Sequence, residues 1–240
     1  MKVAFLSDIH ANYPALVQAL ELASRLGAER VLAAGDAVGS GPHAVEVIRL
    51  LRQKGVESVM GNVDRKVLAL LEDPKRLRKL LRKKHSNPSW TASLLGPEEH
   101  AWLSGLPFDR RIRLGEIDVL VTHGSPLGDC DYVYPSITAD ALASKLGPDS
   151  PGLFVCGHSH VPFTKAVSGI RVVNCGTVGK PVDGDPRGSL ALVEIEGSDA
   201  RARIHRFAYP SEGLAEDLRK RGAPDDRIRE FLEGRKQESP

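Results

Sequence analysis

The chain has 240 residues, of which 27% are charged and 41% are hydrophobic, and its formal net charge is +2. This length allows one sizeable domain, and the small net charge indicates no general attraction to nucleic acid or to an anionic membrane. No apolar run reaches the roughly 18 residues of a transmembrane helix, and no signal-peptide pattern precedes the first strand. We therefore expect a cytoplasmic protein with a small substrate and no membrane or nucleic-acid partner, and homo-oligomerisation stays open. Three widely spaced cysteines favour buried apolar roles over a disulfide framework: Cys130, Cys156 and Cys175.

The first sixty residues alternate between short apolar strands and helices. Strands are predicted at 3–6, 30–34 and 56–60, and apolar residues at helical spacing predict helices at 15–26 and 44–54. This order is typical of parallel strands joined by right-handed crossovers. Asp or Asn follows each of the three strands, so we expect a site at their carboxyl ends.

The middle of the chain is helical and basic. Residues 67–81 predict one or two amphipathic helices, and residues 97–103 predict another. Lys or Arg occupies seven of the ten positions from 75 to 84. We interpret this stretch as a solvated helix whose leucines dock on the core, with a cationic rim for an anionic substrate as the alternative.

The second half is predicted to be mainly antiparallel strand. The predicted strands are 110–114, 117–122, 152–156, 162–167, 170–174, 189–196 and 202–209, with a helix at 138–146. Two packed sheets with helices outside would accommodate both halves in one α/β domain. We expect this domain to cover residues 1–210, followed by a charged helical tail over residues 211–240.

Polar residues suited to metal binding follow five of the predicted strands. They comprise two Asp, one Asn and four His: Asp8, His10, Asp36, Asn62, His123, His158 and His160. Imidazole and carboxylate ligands together favour Mn, Fe, Co, Ni or Zn over Ca. Each residue taken alone has a structural alternative, such as a turn or a helix cap. Seven ligands exceed the needs of one ion, so we infer a site for two divalent metal ions.

In chain order these residues form five blocks that resemble the signature of the calcineurin-like metallophosphoesterases. The blocks are Asp8-Ile9-His10, Gly35-Asp36-Ala37-Val38-Gly39, Gly61-Asn62-Val63-Asp64, His123-Gly124 and Gly157-His158-Ser159-His160. Residues 174–179 and 183–187 resemble the small prokaryotic phosphodiesterase branch, although Cys175 stands where that branch usually has proline. The resemblance implies a four-layer α/β/β/α sandwich of two mixed sheets flanked by helices.

The resemblance also implies the role of each ligand. Two ligand sets share Asp36: Asp8, His10, Asp36 and His160 for one ion, and Asp36, Asn62, His123 and His158 for the other. A hydroxide bridging the two ions would attack phosphorus. Asp36, Asn62 and His123 would then act in catalysis through this hydroxide and the bound phosphate.

One position departs from the family pattern. Val63 stands where the third block usually has the histidine that protonates the leaving oxygen, and valine cannot donate a proton. Such general-acid help is typically worth about 10²–10⁴-fold. A monoester places more charge on its leaving oxygen than a diester does. We therefore expect hydrolysis of small phosphodiesters, either cyclic nucleotides or nucleotide-derived diesters, with weak activity on monoesters.

Three further residues are candidates for the site. His43 would be a substitute acid, with a surface histidine as the alternative. Asn12 would contact a ligand or phosphate, unless it only caps the following helix. Arg187 would contact phosphate, unless it lies exposed in a turn.

Two rival functions remain open at this stage. One is a phosphomonoesterase or protein phosphatase in which another group replaces the missing acid. The other is a non-catalytic scaffold, as in the retromer subunit of this fold. The complete ligand set favours an enzyme, because a scaffold would be free to lose ligands.

Overall fold

The computed structural model describes residues 1–82, 87–148 and 150–235. The strands in these residues are β1 (Lys2–Leu6), β2 (Arg30–Ala33), β3 (Glu57–Ser58), β4 (Asp109–Leu114), β5 (Ile117–Thr122), β6 (Leu153–Cys156), β7 (Phe163–Val167), β8 (Ile170–Asn174), β9 (Gly188–Glu196) and β10 (Asp199–Phe207). The helices are α1 (Tyr13–Arg25), α2 (Ala44–Gln53), α3 (Asn62–Leu71), α4 (Pro74–Arg82), α5 (Asn87–Leu94), α6 (Pro97–Ser104), α7 (Ala139–Leu146), α8 (Ser211–Lys220) and α9 (Asp225–Glu233). None of these helices is long and apolar enough to cross a membrane.

The first sheet combines the start and the end of the chain. Its strand order is β10-β9-β1-β2-β3. β1, β2 and β3 are parallel, as the strand–helix alternation predicts, because α1 and α2 carry the chain back between them. β9 and β10 extend the other edge as antiparallel strands. The carboxyl ends of β1, β2 and β3 therefore open at one edge of the sheet.

The second sheet has the order β4-β5-β6-β8-β7. Its three central strands β5, β6 and β8 are parallel, and only β4 and β7 are antiparallel to their neighbours. The expectation of a mainly antiparallel second half is therefore wrong for this sheet. The physical reason is the long connection through α7, which returns the chain and makes β6 parallel to β5.

Apolar side chains pack in three layers around the two sheets. Between the sheets lie side chains that include Phe5, Leu32, Val121 and Val155. On the outer face of the first sheet pack α1 and α2, and on that of the second packs α7. The four-layer α/β/β/α sandwich is thus confirmed.

Local details differ from the sequence expectations. β3 has only two residues, because the chain leaves the sheet after Val59, and the Met60 amide donates to the Pro107 carbonyl oxygen. Residues 67–81, for which one or two helices were predicted, belong to two helices. The first already begins at Asn62, and the second starts at Pro74, a residue that favours the first turn of a helix. α5 was not predicted. Cys130 is exposed, whereas the other two cysteines are buried as expected.

The basic stretch and the tail both pack on the domain. In α4, Leu77 and Leu80 are partly buried against the core, which agrees with the solvated-helix interpretation. Lys83 and Lys84 lie outside the described residues. In the tail, α8 and α9 bury a small apolar cluster that includes Leu218 and Phe231. Residues 236–240 of the predicted tail also lie outside the described residues.

Candidate metal centre

The structure brings the seven predicted ligands together at the carboxyl ends of five strands. The loop after β1 carries Asp8 and His10, the loops after β2 and β3 carry Asp36 and Asn62, and the loops after β5 and β6 carry His123, His158 and His160. His10 Nε2 and His160 Nε2 lie 3.2 Å apart, although 150 residues separate them in the chain. Both sheets therefore contribute to one site.

The two oxygens of Asp8 have different surroundings. Oδ2 accepts hydrogen bonds from Ser7 Oγ at 2.6 Å and from the His158 amide at 2.9 Å. Oδ1 is buried and accepts no hydrogen bond from any described residue, although His160 Nε2 lies 3.0 Å away. The protein thus fixes one oxygen and leaves the other directed at the site.

Asp36 repeats this arrangement from the second loop. Its Oδ1 accepts a hydrogen bond of 2.8 Å from the Val63 amide. Its Oδ2 lies 3.5 Å from His123 Nε2 and 3.8 Å from His10 Nε2. A ligand shared by two ions would occupy this position between two imidazoles.

Two of the histidines are oriented by backbone carbonyls. His123 Nδ1 lies 2.7 Å from the Ala34 oxygen, and His160 Nδ1 lies 2.6 Å from the Lys180 oxygen. A carbonyl oxygen can only accept, so each Nδ1 carries a proton. The other ring nitrogen, Nε2, faces the site and is the atom that would bind a metal ion.

The amide of Asn62 completes the second group of ligands. Asn62 Oδ1 faces His123 Nε2 at 3.0 Å, and Asp36 Oδ2 and His158 Nδ1 at 3.2 Å, while its amide nitrogen faces Lys66 Nζ at 3.1 Å. An amide oxygen that faces other acceptors is unfavourable unless a cation lies between them. Without an ion, the reverse orientation satisfies both ends of the amide, because the nitrogen then donates to Asp36 Oδ2 and the oxygen accepts from Lys66 Nζ. Asn62 would therefore direct its oxygen at the site when a cation is bound.

The donor atoms and their charges fit divalent metal ions. Two groups have ligand atoms close enough to hold an ion: Asp8, His10 and His160, and Asp8, Asp36 and His123. Burial alone would raise the pKa of Asp8, but His160 and His123 hold it well below its usual value. Burial would lower the pKa of His123, but Asp36 and Asp8 raise it to about 10. The centre thus stabilises positive charge, and its nitrogen and oxygen donors suit transition metals.

The ligand loops are tightly folded. Asp8, His10, Asp36, His158 and His160 have φ between 51° and 63°, in the left-handed region that few non-glycine residues adopt. Asp and His tolerate this region better than bulkier residues do. The left-handed turns lie in the loops after β1, β2 and β6 and bend these three loops into the site.

Asp64 supports the centre from behind, and sequence reasoning gave it no separate role. Its buried carboxylate accepts hydrogen bonds from the amides of Gly61 and Val38 at 3.0 Å and of Ala37 at 3.3 Å. Burial and the nearby charge of Asp36 raise the pKa of Asp64 to about 7. An acid at the third position of a helix is typical of a capping box. This pattern in the sequence would have predicted the hydrogen bond between the Gly61 amide and Asp64.

Residues 174–179 support the loops from the other side. Thr177 Oγ1 donates to the Asp8 carbonyl oxygen at 2.7 Å. Asn174 Nδ2 donates to the Gly157 oxygen at 2.8 Å and to Ser159 Oγ at 3.0 Å. This segment therefore fixes the positions of the first and last ligand loops.

The three further candidates have contacts elsewhere, and none is among the described residues that line the cavity over the ligands. His43 Nε2 lies 3.1 Å from Asp217 Oδ2 on α8. Asn12 is buried, caps α1 through the Ala15 amide and donates to the Gly179 oxygen at 2.9 Å. Arg187 is exposed and pairs with Asp185 at 2.7 Å. These contacts support structural roles rather than contact with a phosphate or a leaving group.

An open cavity of about 660 Å³ lies over the ligands. Besides ligands, its lining includes Val63, Tyr132, Tyr134, Lys180 and Arg235. Sequence reasoning did not identify the last four. The alternation in Tyr132-Val133-Tyr134 would have indicated two aromatic side chains on one side of an extended segment.

Comparisons with known proteins agree with this fold and site. The chain is 29% identical to a metallophosphoesterase from Sphaerobacter thermophilus, with a TM-score of 0.80 and coverage of 98% of this chain and 99% of that one. A hypothetical protein from Pyrococcus horikoshii OT3 has the same fold, with a TM-score of 0.84, the same coverage and 23% identity. An uncharacterized protein from Methanocaldococcus jannaschii is 25% identical over 93% of this chain and 94% of its own length. The family model of the calcineurin-like phosphoesterase superfamily domain matches residues 1–198. The chain therefore belongs to the calcineurin-like phosphoesterase superfamily.

Proposed function

We propose that the protein is a phosphodiesterase that depends on two divalent metal ions and hydrolyses small phosphodiesters, such as cyclic nucleotides or nucleotide-derived diesters. Membership of the superfamily makes it a phosphoesterase. The observation that carries the proposal is the convergence of buried acceptors, with the unpartnered Asp8 Oδ1 opposite His160 Nε2 at 3.0 Å. Such a cluster favours positive charge, which two divalent ions would supply.

The protein residues would hold the reacting groups in place. When bound, two divalent ions supply positive charge for the phosphoryl oxygens and lower the pKa of a coordinated water molecule. Asp36 is held by the Val63 amide, and His123 is held by the Ala34 carbonyl. Ligands fixed in this way need little reorganisation during the reaction, which favours catalysis.

The preference for diesters rests on Val63. Its partly buried side chain lines the cavity and has no proton to donate. The leaving oxygen of a monoester needs protonation more than that of a diester does. His43 does not compensate for this loss, because it contacts Asp217 on the tail.

The test compares a diester and a monoester with the same poor leaving group. Purified protein is reconstituted separately with Mn, Ni, Co, Zn and Mg, and kcat/KM is measured for methyl phenyl phosphate and phenyl phosphate. We expect the diester to be hydrolysed faster, and Asn62→Ala to lose this activity. Faster hydrolysis of the monoester would favour the phosphomonoesterase alternative. Less than one bound ion per chain, with no hydrolysis, would favour a scaffold.

A further inference from the structure

We propose that Tyr132 and Tyr134 form an aromatic platform that binds the nucleobase of the substrate beside the metal centre. The inference deepens the proposed function and rests on it for the position of the phosphate. It narrows the substrate class to phosphodiesters that carry a nucleobase.

The two rings extend the site outward from one of the ligands. The ring centroids of Tyr132 and Tyr134 are 5.4 Å apart, and their planes differ by 9°. The Tyr132 ring centroid lies 4.3 Å from that of His158. A phosphate at the centre would therefore leave its ester substituent close to a stacked aromatic pair.

Both rings are unusually open to solvent for aromatic side chains. The exposed fraction is 45% for Tyr132 and 44% for Tyr134, and both line the cavity of about 660 Å³. Large aromatic rings usually contribute to stability through burial, and exposed ones in a concave site typically mark ligand binding. The cavity also has the volume of a typical small-molecule site.

The segment that carries the rings is fixed before any ligand binds. Val133, between the two tyrosines, is buried in the core, and its carbonyl accepts a hydrogen bond of 3.2 Å from Asn174 Nδ2. Asp131, which precedes them, is held by Ser125 and Lys145. A fixed platform loses little conformational entropy on binding, so stacking contributes more of its free energy to affinity.

Stacking determines the kind of specificity that we expect. Every nucleobase has an aromatic face, so an aromatic platform binds bases with little discrimination among them. Removing one stacking ring typically weakens the binding of a base by about tenfold. The platform thus predicts a preference for nucleoside esters over alkyl esters, with broad tolerance of the base.

The kinetic test uses two diesters with the same leaving group. Thymidine 5′-p-nitrophenyl phosphate and methyl p-nitrophenyl phosphate both release p-nitrophenolate and differ only in the group that remains on phosphorus. We expect kcat/KM of the protein to be about tenfold higher for the thymidine ester. Tyr134→Leu should bring this ratio close to one, whereas Tyr134→Phe should keep the ratio.

Phe108→Leu is the matched control. Phe108 is also 45% exposed, but it does not line the cavity, so its loss should leave the ratio intact. Equal kcat/KM for both esters with unmodified protein would overturn the platform and leave the diesterase proposal standing. A ratio that survives in Tyr134→Leu would overturn the platform as well.

A binding measurement tests the platform independently of turnover. Titration calorimetry compares adenosine 5′-monophosphate with ribose 5-phosphate, which lacks the base, on the metal-reconstituted protein. We expect about tenfold tighter binding of the nucleotide, and loss of this difference in Tyr134→Leu. Equal affinities in the unmodified protein would overturn the inference. If neither diester is hydrolysed, the diesterase proposal fails, and this measurement alone decides on the platform.

Discussion

The metal centre differs in construction from the rim of its cavity. The rim consists of Val63, Tyr132, Tyr134, Lys180 and Arg235. In the centre, each of three ligands forms a hydrogen bond to the surrounding protein through one polar atom and directs its other polar atom at the site: Asp8, Asp36 and His123. At the rim, the Val63 amide and the Tyr134 carbonyl make hydrogen bonds through the backbone, and both side chains line the cavity. We infer that the type of reaction depends on the buried network, and we propose that the choice of ester depends on side chains that can change without disturbing this network.

Metal removal should have the largest effect on activity and stability, because it takes away the ions that the centre is proposed to hold. Stripping the protein with a chelator should abolish hydrolysis. Readdition of both metal ions at about 100 times their Kd should raise Tm by about 10–20 °C, since the ions bind only the folded chain. Calorimetry checks the shift, and Asp36→Ala, which removes the ligand that the two proposed ions would share, should lack it. A Tm that does not respond to metal would contradict the assignment of the centre.

Asp64→Ala should show how far the centre depends on the buried network. The substitution leaves the amides of Gly61, Val38 and Ala37 without their acceptor and should lower the free energy of unfolding by about 1–3 kcal/mol. We also expect kcat/KM to fall by about 10–100-fold, the usual cost of losing support behind a ligand. Urea unfolding and kinetics measure the two effects. Asp199→Asn, at an exposed carboxylate far from the ligands in the chain, is the control.

Val63→His should alter the rim and leave the centre intact. An added imidazole can protonate the leaving oxygen, so hydrolysis of phenyl phosphate should rise by about tenfold or more. Hydrolysis of p-nitrophenyl phosphate should rise less, because its leaving group needs less protonation. Metal content should stay the same, since the Val63 amide, which holds Asp36, is unchanged. An equal gain for both esters would argue against an acid at this position.

His43→Ala should have the smallest effect. The His43 side chain contacts Asp217 on the tail, so we expect kcat/KM to change by less than about twofold for poor and good leaving groups alike. A selective loss on phenyl phosphate would show that His43 reaches the leaving oxygen after all. The rim would then contain a proton donor, His43.

The fold and the metal ligands could both be predicted from local patterns in the sequence. Apolar periodicity identifies strands and helices, and the ligands follow strand ends at which glycine and polar residues alternate. The parallel pairing of β5 and β6 was missed although the sequence carried a signal for it, since the predicted helix at 138–146 lies between these strands and a helical connection favours parallel pairing.

The rim was less accessible to prediction than the centre. Tyr132 lies against His158, with Tyr134 stacked on it, because Val133 is anchored in the core, and no local pattern specifies this anchoring. Lys180 and Arg235 reach the cavity through the packing of late segments on the domain. In contrast, Asp64 had a local signal, since an acid at the third position of a helix commonly caps its start.

The separation of His10 and His160 in the chain also has a consequence for folding. Their ring nitrogens lie 3.2 Å apart across 150 residues, so the centre is complete only when both sheets have formed and docked. Such long-range contacts form late, after the entropy of closing a long loop has been lost. Metal ions would therefore act on the finished domain, slowing its unfolding rather than speeding its folding. The nascent chain must assemble two sheets without any help from the ions that its active form would carry.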